Sequence, residues 1–311
     1  MRVPVDLVTG FLGSGKTTLL RHVLEHGLDR RRVAVIVNEI AELGVDGRVV
    51  ASLKNVESMI ELDSGCICCS IDFRFEYAVQ EIVETVKPDL VLIESTGLAD
   101  PRFLIEKIPN TRLILDAVIT VVDAQNLARA LRESEVAARQ IEEADFLVIN
   151  KIDLVAEEDT GRLSRDLRRR NRRAVQVCSR FGVVDTPILF GTSVRQYRTL
   201  ALASPTGRDD HLRRDGIESF VCEVGGYLDR TRFERLLLTL PETVYRAKGL
   251  VWFAGEGAPS LFNFTCGRYQ LQWLPVGTAA AVAQGVFIGR GVKALRERIA
   301  GHFLACRTAS C

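Results

Sequence analysis

Short apolar segments alternate with helix-like segments along the first 200 residues of the chain. The pattern predicts strands at 3–9, 32–38, 58–62, 90–93, 113–122, 146–149 and 175–178, and helices at 17–26, 73–86, 126–143 and 157–170. Segment 90–93 has no polar position at all, which is typical of a strand buried on both faces. Strands that alternate with helices predict βαβ units and a mainly parallel sheet.

The pattern changes after residue 200. A polar stretch rich in Ser, Pro, Gly and Asp predicts a linker at 201–216. Strands are then predicted at 217–224, 244–253, 260–266, 268–274 and 284–289, with helices at 230–240 and 291–304. The predicted organisation is an α/β domain over 1–200, a linker, and a smaller α+β domain with an antiparallel sheet over 217–307.

Composition and charge narrow the function classes. The chain has 311 residues, of which 47% are hydrophobic and 26% charged, as expected of a globular protein with a sizeable core. The net charge of +1 gives no bulk attraction to nucleic acid or to an anionic membrane. No apolar run reaches the roughly 18 residues of a membrane span, and the first residues lack a signal-peptide layout. We therefore expect a cytoplasmic protein with neither nucleic acid nor membrane as a partner.

A phosphate-binding loop follows the first predicted strand. Residues 10–17 read GFLGSGKT, which has the glycines, the lysine and the hydroxyl residue at the spacing that such a loop requires. The glycines let backbone N–H groups surround phosphate oxygens, and the helix that follows adds its positive end. The residues predicted to hold the nucleotide are Gly10, Gly13, Ser14, Gly15, Lys16, Thr17 and Thr18.

The segment 150–153, NKID, indicates which base is bound. It follows an apolar strand, where a parallel sheet places its ligands. The carboxylate of Asp153 can accept two hydrogen bonds from guanine, whereas adenine offers no such donor pair, and Asn150 and the Lys151 stem are predicted to pack the base. GTP is therefore favoured over ATP.

The segment 94–97, ESTG, closes another apolar strand. Glu94 is placed to hold a magnesium-bound water, and the N–H of Gly97 is placed to sense the γ-phosphate. With Lys16 and Thr17, these residues form the predicted catalytic set of a GTPase. No residue is an obvious arginine finger supplied by the chain itself, so slow intrinsic GTP hydrolysis is expected.

Three of the eight cysteines lie within four residues, at Cys66, Cys68 and Cys69. Two cysteines two positions apart face the same side of an extended segment, so both sulfurs can meet one ion. Thiolates favour Zn²⁺ or Co²⁺, with nickel and Cu(I) left open. The competing interpretations are small buried residues, a redox pair, and a nucleophile; whether Cys69 binds the ion is also open.

An acidic segment follows the second predicted strand. Glu39, Glu42 and Asp46 are oxygen donors in a region that, in a phosphate-loop GTPase, switches with the nucleotide. The predicted metal ligands are accordingly Cys66, Cys68, Cys69, Glu39 and Glu42 for the transition metal, and Thr17 and Glu94 for Mg²⁺. The alternative is that these loop carboxylates are simply solvated.

Taken in order, these motifs resemble the CobW-type GTPases, relatives of UreG and HypB. The matching stretches are TGFLGSGKTT at 9–18, VNE at 37–39, GCICC at 65–69, ESTGLADP at 94–101 and NKID at 150–153. The resemblance implies GTP hydrolysis coupled to delivery of Zn²⁺, Co²⁺ or another transition metal to a client metalloprotein or cofactor pathway. It implies that the cysteines bind metal in the Mg²⁺·GTP state.

Two features differ from many members of that family. Ala41 stands where glycine is common, and alanine restricts the φ angle of the loop. A histidine-rich tract is also common there, whereas this chain has four histidines in all. Two of them, His22 and His26, are four apart on the first helix, and we favour a packing or surface role for them.

Other functions remain open from the sequence. One is a phosphate-loop kinase or transferase with structural cysteines. Another is a metal sensor or storage protein with a regulatory nucleotide site, and a third is a thiol redox switch. The identity of the metal and the client, the role of the second domain, and the oligomeric state, a homodimer included, are not determined by these patterns.

Overall fold

The structure, a computed structural model, describes residues 2–26, 28, 31–39, 56–63, 71–184, 186–190, 217–273 and 282–308. The chain divides into two compact units, residues 1–190 and 191–311. The predicted linker and the predicted segments around Glu42 and the three clustered cysteines lie outside the described residues.

The first unit is built on a sheet of seven parallel strands in the order β3-β2-β4-β1-β5-β6-β7. The strands are β1 (Val3–Thr9), β2 (Val33–Glu39), β3 (Val56–Asp63), β4 (Leu90–Glu94), β5 (Leu113–Asp123), β6 (Phe146–Asn150) and β7 (Val175–Cys178). The predicted α/β class and the parallel sheet are confirmed.

Helices connect these strands. They are α1 (Lys16–His26), α2 (Ile71–Thr85), α3 (Pro101–Lys107), α4 (Leu127–Glu133), α5 (Glu135–Glu143), α6 (Glu157–Arg170) and α7 (Thr186–Phe190). Single 3₁₀ turns occur at Ile108–Asn110 and Ile152–Leu154. The ends of α6 complement its dipole, with three acidic residues in the first turn and three arginines in the last.

Burial explains the fully apolar strands. Every residue of β4 and of β6 is buried. One apolar cluster joins β1, β2 and β4 to Phe75, Val79 and Ile82 of α2. Another joins β5 and β6 to α4, α5 and Leu167 of α6. Because helices cover both faces of the sheet, these strands have no polar face to show in the sequence.

The helical region predicted at 126–143 is confirmed, and the chain divides it at Ser134 into α4 and α5. Ser134 has extended dihedral angles, φ −148° and ψ 123°, and its side chain accepts a hydrogen bond from the backbone N–H of Val136. A serine in this conformation caps the helix that follows it. The apolar pattern continues across the break and therefore conceals it.

The second unit contains a five-stranded antiparallel sheet in the order β11-β10-β9-β12-β8. Its elements are β8 (Ile217–Gly225), α8 (Arg230–Leu238), β9 (Val244–Val251), β10 (Ser260–Thr265), β11 (Arg268–Trp273), β12 (Val282–Arg290) and α9 (Arg296–Ala305), with a 3₁₀ turn at Val292–Leu295. The predicted α+β character of this region is confirmed.

Phenylalanines form the centre of the second core. The ring of Phe233 on α8 lies 5.1 to 5.7 Å from the rings of Phe253, Phe262 and Phe303, centroid to centroid. These rings are fully buried between the two helices and one face of the sheet. Such tilted and edge-to-face pairs stabilise a core beyond the area that they bury.

No helix in the described parts of either unit is long and apolar enough to cross a membrane.

Candidate functional site

The candidate site lies where the parallel strands of the first unit end. The carboxyl ends of neighbouring parallel strands share one edge of a sheet, and ligands bind there. The last residues of β1, β4, β5 and β6 are Thr9, Glu94, Asp123 and Asn150. The sheet thus brings the predicted phosphate, magnesium and base segments to the same edge.

The phosphate loop joins β1 to α1 in a conformation that requires glycine. Gly10, Gly13 and Gly15 have φ angles of 139°, 71° and 101°, a region that L side chains rarely adopt. A Cβ atom on Gly10 would overlap the carbonyl oxygen of Val121, and one on Gly15 would overlap the side-chain nitrogen of Asn150. The loop therefore follows closely over the ends of β5 and β6.

Lys16 folds back over this loop. Its Nζ donates to the carbonyl oxygen of Gly10 at 2.9 Å and to that of Phe11 at 3.5 Å. Burial lowers the pKa of Lys16, and the nearby charge of Glu94 opposes that shift. The ammonium group is thus held beside the loop by two neutral carbonyls, which phosphate oxygens can replace.

The predicted magnesium ligands are in direct contact. Thr17 Oγ1 donates to Glu94 Oε1 at 3.0 Å, although 77 residues separate them in sequence. Glu94 is buried, with 7% of its surface exposed. A hydroxyl and a carboxylate oxygen are hard donors of the kind that Mg²⁺ prefers, so this pair fits that ion.

Buried hydroxyl groups around the loop also fit a phosphate ligand. Thr9 Oγ1, Ser14 Oγ and Thr96 Oγ1 have no hydrogen-bond partner within the described residues. Leaving a buried hydroxyl without a partner costs free energy, so such groups are expected to meet a ligand or an ordered water. Their position beside Lys16 and Glu94 is consistent with phosphate oxygens or magnesium-bound water.

Gly97 packs directly against the phosphate loop. A Cβ atom on Gly97 would lie 2.6 Å from the backbone nitrogen of Leu12 and 2.9 Å from its Cα. Residues 96–99, here called the Gly97 turn, are closed by a hydrogen bond from Ala99 N to Thr96 O at 3.1 Å. The residue predicted to sense the γ-phosphate therefore contacts the loop predicted to bind it.

Asn150 supports the phosphate loop through hydrogen bonds of its side-chain amide. Its side-chain Nδ2 donates to the carbonyl oxygen of Ser14 at 3.0 Å, and its Oδ1 accepts from the backbone N–H of Gly182 at 3.1 Å. The amide thus links the phosphate loop to the turn after β7. Packing of Asn150 against a base remains a prediction.

Lys151 bridges the same loop and β5. It adopts the left-handed conformation, with φ 61°, and its Nζ donates to Gly13 O at 2.7 Å and to Asp123 Oδ2 at 2.8 Å. Asp153 lies in the following 3₁₀ turn and is exposed. Its carboxylate is therefore accessible to a base, which is the role predicted for it.

Asp123 was not predicted as a site residue. Besides Lys151, it accepts hydrogen bonds from the backbone N–H groups of Gln125 and Asn126 and from the Asn126 side chain. Burial favours the neutral acid, but the hydrogen bonds from Lys151 and Asn126 outweigh it and lower the pKa of Asp123. An acidic residue that ends a buried strand at this edge is the signal that points to it.

Gln140 was also missed. It is 1% exposed, and its Nε2 donates to the carbonyl oxygens of Gly97 and Ala99, each at 3.2 Å. Its neighbours on the buried face of α5 are Ala137 and Ile141. A glutamine on an otherwise apolar helix face is the sequence signal that reveals a buried polar contact.

The described residues show only part of the predicted transition-metal site. The backbone of Glu39 ends β2, and the structure does not describe its side chain, while Glu42, Cys66, Cys68 and Cys69 lie outside the described residues. Within the described parts of the chain, no group of three or more His, Cys, Asp or Glu side chains is arranged to hold a metal ion. These ligands therefore stay predictions.

His22 and His26 stack on the surface of α1, with ring centroids 5.1 Å apart. His26 Nδ1 lies 3.2 Å from the carbonyl oxygen of His22, and burial is the main cause of a lowered pKa at His22. Within the described residues, the two histidines make contacts typical of a helix surface. In that part of the chain, neither ring contacts a predicted metal ligand of the phosphate site.

Two family models match the chain. Residues 4–177 match the CobW/HypB/UreG nucleotide-binding domain, and residues 217–307 match the cobalamin synthesis protein cobW C-terminal domain. The two matches cover most of both units.

This chain is similar to several known proteins, and the share of the chain that each similarity covers differs. The chain is 31% identical to the zinc chaperone YjiA of Escherichia coli K12, over 98% of this chain and 99% of that protein. It is 36% identical to the zinc-regulated GTPase metalloprotein activator 1 of Schizosaccharomyces pombe, over 50% of this chain and 40% of that one. The crystal structure of Zn(II)-bound YjiA GTPase from E. coli is 28% identical and covers 99% of this chain and 100% of its own, with a TM-score of 0.46.

Proposed function

The chain belongs to the CobW/HypB/UreG family, and from that membership and the site geometry we propose that it is a GTP-hydrolysing metallochaperone. In this proposal the protein binds a transition metal, zinc or cobalt, in its Mg²⁺·GTP state. It then delivers the metal to a client metalloprotein or cofactor-assembly enzyme in the cytoplasm, where thiols stay reduced.

One observation carries the nucleotide part of the proposal: the 3.0 Å contact between Thr17 and Glu94 beside the phosphate loop. The contact joins the start of α1 to the end of β4. A hydroxyl and a carboxylate next to a glycine loop and a lysine form a magnesium–triphosphate site. A loop that only bound phosphate for structural reasons would not need the carboxylate.

The residues of the site have separable roles in hydrolysis. Lys16 exchanges the carbonyls of Gly10 and Phe11 for phosphate oxygens, and the amides of the loop hold the remaining oxygens. Thr17 and Glu94 hold magnesium, directly or through its water. Magnesium, when bound, neutralises charge on the phosphates. The N–H of Gly97 approaches the γ-phosphate, which makes the site sensitive to the third phosphate.

The preference for guanine is assigned to Asp153. Its carboxylate is exposed in the turn after Lys151, and Lys151 is itself fixed to Gly13 and Asp123. A carboxylate in this position accepts from the two donors of guanine. Adenine lacks that donor pair and leaves the carboxylate unpaired, so it binds more weakly.

The metal cargo is assigned to Cys66, Cys68 and Cys69, with Glu39 and Glu42 as oxygen donors from the neighbouring segment. Their place in the chain supports this. β3 pairs in parallel with β2, and β2 pairs with β4, so Asp63 and Glu94 end strands at one edge of the sheet. Two residues separate Asp63 from Cys66, which limits their separation to about 11 Å. Metal and nucleotide can therefore share one conformational change.

Zinc is favoured as cargo because the relative from E. coli is a zinc chaperone. Thiolate ligands suit zinc, and they suit cobalt in the same tetrahedral geometry. The antiparallel unit is proposed to contact the client, because its described residues show no catalytic constellation. A homodimer is compatible with the proposal and is not required by it.

The test is GTP turnover by wild type and by two variants. Lys16→Ala is expected to abolish hydrolysis, and Asp153→Ala is expected to remove the preference for GTP over ATP. Wild-type turnover no faster than that of Lys16→Ala contradicts the proposal and favours a sensor or storage protein. Equal use of ATP and GTP by wild type favours a kinase-like nucleotide site instead.

A further inference from the structure

We propose that Gln140 is a positioning residue that holds the Gly97 turn in the orientation that recognises the third phosphate. The inference rests on the proposed function and deepens it, because it assigns the discrimination between triphosphate and diphosphate to a side chain outside the nucleotide motifs. The key observation is that one buried amide donates to two carbonyls of this turn.

The Gly97 turn is fixed at three places. The backbone N–H of Ser95 donates to Val8 O at 2.9 Å, which ties the start of the turn to β1. The bond between Ala99 N and Thr96 O closes the turn. Gln140 then holds the carbonyls of Gly97 and Ala99, the residues on either side of the exposed Leu98. Together these bonds determine the direction of the Gly97 N–H.

Gln140 is itself anchored to the sheet. The Thr120 hydroxyl, buried on β5, donates to the backbone carbonyl of Gln140 at 2.7 Å. The preceding residue, Arg139, binds the carboxylate of Asp100 at 3.1 Å, immediately after the turn. Consecutive residues of α5 therefore hold both the turn and the residue that follows it.

A small cavity lies beside Gln140. The cavity bounded by Leu12, Asp123 and Gln140 has a volume of about 30 Å³. A single water needs roughly 10–15 Å³, so the cavity has room for a water or two. Within the described residues, the Gln140 side chain donates to carbonyl oxygens of the Gly97 turn.

The mechanism is one of orientation. A turn free to rotate would present its Gly97 N–H to the γ-phosphate only part of the time, and the affinity for the triphosphate would fall by that fraction. The diphosphate makes no contact at this position in the proposed function. Loss of the Gln140 bonds is therefore expected to weaken binding of the triphosphate selectively.

The test measures affinities of wild type and Gln140→Met for GDP and for the non-hydrolysable analogue GppNHp, both with Mg²⁺. Met has a similar length and shape but donates no hydrogen bond. We expect the affinity for GppNHp to fall about tenfold relative to that for GDP. The kcat/KM for GTP should fall with it, while GDP affinity changes little.

Asn171→Leu is the matched control. Asn171 is also a buried amide, and it donates to three carbonyls at the C-terminal end of α5, those of Ile141, Glu142 and Ala144. Its loss should lower the melting temperature at least as much but leave the ratio of the two affinities unchanged. If both variants change that ratio equally, the effect is general loosening and the inference is wrong.

Thr120→Val provides a second variant if Gln140→Met does not fold. It removes the hydroxyl that anchors Gln140, and we expect a smaller change of the ratio in the same direction. An unchanged ratio in both Gln140→Met and Thr120→Val overturns the inference alone. Wild type that binds neither GDP nor GppNHp overturns the proposed function, and the inference with it.

Discussion

At the scale of single residues, two polar side chains at the end of β6 support the phosphate loop through hydrogen bonds. Asn150 and Lys151 hold the phosphate loop through carbonyl oxygens of Ser14 and Gly13. The two contacts span 136 and 138 residues of sequence. Two residues of this four-residue motif therefore support the phosphate loop, and recognition of the base by the exposed Asp153 stays a proposal.

Asp123→Asn tests this support of the phosphate loop. The change removes the charge that pairs with Lys151 but keeps most of the volume of the side chain. Because Lys151 then holds Gly13 less firmly, we expect affinity for GDP to fall about five- to tenfold, equivalent to about 1 kcal/mol. Isothermal titration calorimetry with GDP measures this affinity. The control is Asp166→Asn, which breaks an exposed ion pair with Arg169 and is expected to bind GDP as wild type does.

The lowered pKa of Asp123 predicts a pH dependence of stability. A carboxylate whose folded pKa lies below its ordinary value of 3.8 stabilises the fold above that value. The contribution is lost as the pH falls through the lowered folded pKa. The difference in unfolding free energy between wild type and Asp123→Asn should therefore be constant near neutral pH and shrink below pH 3.8. Urea unfolding over a pH series checks this, and a difference that grows on acidification would contradict it.

Gly97→Ala tests the contact between the turn and the phosphate loop. The added methyl group would lie 2.6 Å from Leu12 N, so the two segments must move apart. We expect GTP turnover to fall by about tenfold or more, with a smaller loss of GDP affinity. Gly161→Ala in α6, whose methyl group would have no neighbour closer than 4.0 Å, should leave turnover unchanged.

At the scale of elements, burial on both faces explains why the parallel strands could be predicted from apolar runs alone. The helix break could not, because Ala130, Ala137 and Ile141 continue the apolar spacing across it. The short α3 was also missed. It has seven residues, and its start is specified by Asp100 as N-cap and Pro101, a local signal within a segment interpreted as a nucleotide motif.

Ser134→Ala tests the cap that separates α4 from α5. Loss of the hydrogen bond to Val136 N should lower the unfolding free energy by about 1 kcal/mol. Ser134→Asp, which retains an acceptor and places a negative charge at the start of the helix, should preserve it. Equal losses in both variants, measured by urea unfolding, would mean that the cap does not stabilise this junction.

At the scale of the whole molecule, sequence patterns predicted an α/β region followed by an α+β region, and they placed the candidate site at the carboxyl ends of the parallel strands. They did not predict Gln140 or Asp123. The contacts of these residues join separate segments of the chain: Gln140 and Gly97 are 43 positions apart, and Lys151 and Asp123 are 28 positions apart. Only the fold brings them together. The sequence signals for them are single polar residues in apolar surroundings, which have many explanations before the fold is known.

The strand order links the two halves of the proposed function. β3 leads toward the clustered cysteines, and β4 ends at Glu94, with β2 between them. If a change of the nucleotide moves the end of β2, we expect the carboxyl ends of both neighbouring strands to be affected. If metal binds more tightly in one nucleotide state, the nucleotide must bind more tightly in the metal-loaded state by the same factor.

The most direct measurement is an anaerobic titration of Zn²⁺ and Co²⁺ into the protein with Mg²⁺·GppNHp, with Mg²⁺·GDP and without nucleotide. The account predicts a tight one-to-one site with the triphosphate analogue, and affinity at least about tenfold lower in the other two states. It also predicts that Cys66→Ser and Cys68→Ser remove this site. Equal affinity in all three states, or a site that survives both substitutions, would contradict the claim that the nucleotide controls metal binding.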